Sequence, residues 1–83
     1  MTAIFIPFYP KHTELETEED HEALIAKYRE WLDTHGRYGK LYMLNQGKAG
    51  PLCKFREAHQ TIVNGLNIYE PEIATLFKLM FEV

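Results

Sequence analysis

One cysteine, Cys53, is the only thiol this chain offers. No disulfide can close within it, and no zinc site can rest on thiolates from one chain. A lone thiol suits a reducing compartment, so the expected location is the cytoplasm. Long apolar runs are missing too. None approaches the roughly 20 residues that a membrane span requires, so no membrane partner is expected. The apolar start "AIFIPF" is short, has no basic residue before it and is broken by Pro7, so it does not read as a signal peptide. Metal-ligand spacing is absent as well. His12, His21, His35 and His59 are scattered, and even His21 and His35, on one helical face, stand about 21 Å apart along the axis. His59 falls on an apolar helical face and reads as a hydrogen-bonded core residue. No metal or other cofactor is expected.

What is present is a globular composition. Hydrophobic residues make up 46% of the chain and aromatics 13%, enough to build a core rather than a disordered coil. Eighty-three residues suffice for one domain spanning 1–83. "TAIFIPFY" is rich in strand formers, with Pro7 confining it to a sheet edge. From Glu18 to His35 the residues Leu24, Ile25, Tyr28, Trp31 and Leu32 recur on one helical face. Thr17 stands where an N-cap belongs, Glu18, Glu19 and Asp20 suit the first turn, and Gly36 suits the stop. "GKLYMLN" (39–45) alternates and reads as a second strand.

Beyond it, Pro51 stands as the first residue of a helix carrying Leu52, Phe55, His59, Ile62 and Val63 on one face, ended by Asn64-Gly65. The stretch 51–57 could instead be a strand. The tail, 73–83, has the same two readings. Ile73, Leu76, Phe77, Met80 and Phe81 follow a helical stripe behind Pro71 and Glu72, while Phe77, Leu79, Phe81 and Val83 alternate as a strand would. The expected fold is therefore α+β: a small two-stranded sheet covered by about three helices, with up to four strands if both segments are extended. In that last case the order is βαββαβ, a ferredoxin-like sandwich.

Chemical motifs are sparse. "LNQGKAGPL" (44–52) resembles a strand–glycine turn–helix cradle for phosphate, but Gly47 and Gly50 are three apart and Pro51 removes a donor. A plain turn accounts for it better. Cys53 near a helix N-terminus would have a lowered pKa and could serve as a nucleophile. No second catalytic group has a matching position, so an enzyme is the weakest reading.

Net charge is only −3, yet the charge is segregated. Residues 14–22 hold Glu14, Glu16, Glu18, Glu19, Asp20 and Glu22 and no base. Residues 36–56 hold Arg37, Lys40, Lys48, Lys54 and Arg56 and no acid. Either these patches serve partners or one neutralises the other. The basic stretch, interleaved with Tyr38, Tyr42 and Phe55, is the alternative site, for nucleic acid. The overall pI of 5.7 argues against it.

The aromatic content carries the leading expectation. A core this small cannot enclose every ring, so some must lie at the surface as interface anchors. Tyr28, Trp31, Phe77, Met80 and Phe81 are the candidates for that interface, with the acidic or the basic patch supplying orientation. The function expected is that of a small non-catalytic accessory or regulatory factor. It would dock on a larger protein and modulate or inhibit it, as accessory factors of phages and mobile elements do, and would form a homo-oligomer.

Overall fold

The structure, a computed structural model, describes residues 3–8, 15–49, 53–57 and 59–82. Strand β1 (Ile4–Pro7) leads to helix α1 (Glu18–Asp33), then to β2 (Tyr42–Lys48), β3 (Thr61–Ile68) and helix α2 (Pro71–Phe81). The three strands form one antiparallel sheet in the order β1-β3-β2. Strands β1 and β2 thus run the same way with β3 between them, a split β-α-β arrangement. The architecture is α+β, with three strands and two helices in place of the expected two and three. Element order follows the ferredoxin-like alternative through its fifth element. Among the described residues there is no fourth strand.

The helix entrances form as their residues dictate. The Asp20 N–H donates to the Thr17 hydroxyl at 3.2 Å, closing the cap. Pro71 begins α2, where a missing N–H costs nothing. Helix α1 stops at Asp33, and Gly36 serves close packing there: a Cβ on it would sit 2.7 Å from the Leu41 Cβ. The left-handed turn falls at Gly39, with φ of 85°.

The expected helix over 51–63 is not found. Residues 53–57 are irregular, and Thr61, Ile62 and Val63 open β3. β-branched residues are stiff at χ1 and pack well on a pleated surface, which outweighs their accidental helical spacing. Asn64-Gly65, expected to end a helix, instead makes a bulge in the centre of the sheet. Asn45 pairs with Gly65 and Gln46 with Val63, so Asn64 is the extra residue. Strand β2 likewise runs on through Gln46, Gly47 and Lys48, so the first half of the glycine-bearing stretch is strand. Gly50, Pro51 and Leu52 lie outside the described residues.

Register places Ile6, Leu66, Ile68 and Tyr42 on one face of the sheet, and both helices pack there. Tyr28 and Leu32 from α1 meet Ala74 and Phe77 from α2 over that face, all buried. The rings of Tyr28 and Phe77 meet edge to face at 5.0 Å, and Phe8 lies 5.6 Å from Tyr28. Phe5, Met43, Asn45 and Asn67 occupy the opposite face. There the Asn45 amide donates to Asn64 Oδ1 at 2.7 Å, and the Asn67 amide donates to Asn45 Oδ1 at 3.3 Å.

Gly65 is where this sheet admits no side chain. A Cβ there would lie 2.5 Å from the Phe5 ring and 2.6 Å from the Ile6 carbonyl oxygen. Gly65→Ala should therefore cost about 1–3 kcal/mol of stability, read from urea denaturation, since the backbone contact cannot swing aside. Phe77→Ala should cost about 3–5 kcal/mol in the same assay. Leu79→Ala, outside the core, should stay within about 0.5 kcal/mol.

Candidate functional site

A helix lying on a sheet needs one apolar stripe, and α2 has two. Ala74 and Phe77 are buried against the sheet and α1, with Ile73 and Phe81 packed beside them. Leu76, Leu79 and Met80, spaced i, i+3, i+4, form a second stripe that faces outward. They are 48%, 73% and 60% exposed. A helix apolar nearly all round belongs in an interior. Here half of that surface is left in water.

A groove adjoins this stripe. It measures about 380 Å³ and runs between α1 and α2, with Trp31, Met80 and Phe81 as its apolar lining and Lys27, Glu30 and Thr34 around them. Its shape comes from ring packing. Phe81 lies 4.8 Å from both Tyr28 and Phe77, and Trp31 lies 5.8 Å from Phe77. The two inner rings fill the core, and the two outer ones form the brim. Trp31 also stacks on His35 at 4.1 Å.

The expected interface is thereby divided. Trp31, Phe81 and Met80 lie at the groove. Tyr28 and Phe77 do not reach the surface: at 3% and 0% exposure they are core residues, because edge-to-face packing lets several rings share a small interior. Leu76 and Leu79 complete the stripe, and the sequence reading gave neither an interface role. The signal that could have found them is the helix itself, whose apolar residues fit two faces at once.

The charged patches are brought together at the entrance of α1. Arg56 pairs with Glu18, and Lys54 Nζ lies 3.8 Å from Glu16. Glu19, Asp20 and Glu22 are exposed, and Glu14 lies outside the described residues. Arg37 and Lys40 stand in the turn before β2, and Lys48 ends β2. One part of the basic stretch therefore neutralises one part of the acidic run. At these exposures each pair contributes only about 0–1 kcal/mol, and both join residues 53–57 to the entrance of α1.

Those residues close over His21. A cavity of about 190 Å³ at the N-terminal end of α1 is bounded by Glu18, His21, Glu22, Phe55, Arg56 and Val63, among others. His21 is 4% exposed, with the Phe55 ring 5.0 Å away and Phe8 6.2 Å away. It precedes Leu24, Ile25 and Tyr28 by three, four and seven residues, so it shares their inward face. Burial pushes its imidazole below the ordinary value, an effect that the Val63 backbone and the Glu22 charge offset in part.

The remaining titratable candidates are dispersed. His59, expected in the core, is exposed with Nε2 3.4 Å from a Glu57 oxygen, because its helix does not form. His12 lies outside the described residues. Cys53, expected near a helix N-terminus, is half-buried in irregular chain, with residues 53–57 forming no helix. Among the described residues no His, Cys, Asp and Glu cluster could hold a metal ion. None of their helices is long and apolar enough to cross a membrane. Comparison of the chain with protein-family models, with curated proteins and with solved structures returned no match.

His21 sets a pH dependence with a definite sign. In the unfolded chain it takes up a proton near its ordinary value of 6.5, whereas the folded site resists that proton to lower pH. The unfolded state then binds more protons, and stability falls as pH drops below about 6.5. Urea midpoints should decline between pH 7.5 and pH 5.5 in the natural chain. The decline should shrink in His21→Leu.

Proposed function

We propose that this chain is a non-catalytic docking factor that binds a larger protein through the outer face of α2 and modulates or blocks it. One observation supports the reading above the others: Leu76, Leu79 and Met80 form an exposed apolar ridge continuous with the Trp31–Phe81 groove. Contiguous apolar surface of this kind marks interaction sites, whereas single exposed apolar residues do not. Burial there would contribute roughly 25 cal/mol for each Å² removed from water. Lys27, Glu30 and Lys78 around the ridge would orient the partner. The two ion pairs at the entrance of α1 weigh against the basic stretch as a nucleic-acid site, since Lys54 and Arg56 already face carboxylates.

The test uses the immobilised chain as bait in an extract of its own cells. Proteins retained by the natural chain should be lost with Leu79→Glu and kept with Lys40→Glu, both variants being folded by circular dichroism. Retention that survives Leu79→Glu and vanishes with Lys40→Glu would move the function to the basic stretch.

A further inference from the structure

The cavity at the N-terminal end of α1 has one wall unlike the others. Its lining from α1, β2 and β3 belongs to regular elements with their own backbone hydrogen bonds. Phe55 and Arg56, which close it, come from the irregular stretch 53–57. Among the described residues, no backbone hydrogen bond ties 53–56 to another element. Side chains make the contacts instead: Lys54 with Glu16, Arg56 with Glu18, and the Phe55 ring with His21 at 5.0 Å. Exposed ion pairs contribute about 0–1 kcal/mol each, whereas a whole domain is held by about 5–15 kcal/mol. Detaching this stretch is therefore far less costly than unfolding the sheet and helices.

His21 is the group that gains from such detachment. The charged residues lining its cavity are Glu18 and Glu22 from α1 and Arg56 from the stretch above it. The sheet contributes Gln46, Thr61 and Val63, none of them ionisable. On the remaining side stands Phe8, 6.2 Å away and held by its backbone bond to Asn64, so that side stays closed. A proton on the ring places a second cation beside Arg56 and sets the two in competition for Glu18. The Val63 backbone and Glu22 favour the charged ring, but burial outweighs them. Removing Phe55 and Arg56 lifts the burial and takes the rival cation away, so an open site holds the proton better than a closed one.

We infer that residues 53–57 form a strap that is released when His21 takes up a proton, opening the cavity of about 190 Å³ to solvent while the sheet and both helices stay folded. Release uncovers an apolar wall that includes Ile25 and Val63. No lining residue of this cavity belongs to the α2 ridge or its groove, so the strap and the docking face are tested separately.

Nuclear magnetic resonance of the isotope-labelled chain between pH 7.5 and pH 5.5, where a histidine ordinarily titrates and a carboxylate does not, reads both events. The nuclear Overhauser contact between the Phe55 and His21 rings should disappear as the His21 signals report its proton. The contact between Tyr28 and Phe77 should persist throughout. In His21→Leu, and in His21→Gln, which keeps a donor for the Val63 backbone, Phe55 should stay in contact with residue 21 down to pH 5.5. A natural chain whose Phe55–His21 contact is still present at pH 5.5 overturns the inference. Loss of that contact only together with the Tyr28–Phe77 contact overturns it too, because the whole domain is then unfolding. So does loss over the same pH range in whichever His21 variant folds, which would assign release to the ion pairs alone.

Discussion

Phe77 against Tyr28 is the contact on which the molecule turns. It joins the two helices to each other directly above the sheet, so α1 and α2 share one face of three strands. Phe77 is the largest buried member of an inner stripe that Ile73, Ala74 and Phe81 share, and burying that stripe is what sets the outer one facing away. The same contact explains why Trp31 and Phe81 end at the rim. Tyr28 and Phe77 occupy the interior between the helices, and Trp31 and Phe81 pack against their edges. The exposed face of α2 is thus a by-product of how the core is filled.

The other end of the molecule is organised by charge. Residues 53–57 have no regular structure, and pairs from Lys54 and Arg56 to Glu16 and Glu18 bind them to the start of α1. Phe55 is carried along and closes over His21. Each pair is weak at these exposures, and the Phe55 ring adds its own contact with His21. Burial beside Phe55 and Phe8 favours the neutral form of the His21 imidazole, since a proton there would cost desolvation, and the Val63 backbone and Glu22 offset that in part.

The helices were legible in the sequence because their signals are local. Thr17, the acids behind it, Pro71 and the 3.6-residue stripes lie within one or two turns of one another. Strand β3 was not legible, because Leu52, Phe55, His59, Ile62 and Val63 also suit a helix and Asn64-Gly65 also suits its end. Only pairing with β1 and β2, contacts distant in sequence, turns that dipeptide into a bulge. The segregated charge could be read, but whether the patches meet depends on residues 38 apart in the chain. For the candidate site, counting rings pointed to Trp31, Met80 and Phe81, which line the groove, and to Tyr28 and Phe77, which the core encloses. It passed over Leu76 and Leu79, because a count of rings does not see aliphatic residues left outside.

The imino acid that closes β1 has an effect away from the helices. Phe8 directs its N–H inward to the Asn64 carbonyl at 3.0 Å, and successive amides alternate, so the Pro7 nitrogen points outward from the sheet. A neighbouring extended peptide approaching that border would find one of its few hydrogen-bond donors deleted. On a strand of four residues this breaks the template that amyloid-like stacking needs. Growth of the sheet into a fibre is therefore discouraged along this side, at the cost of a single backbone proton.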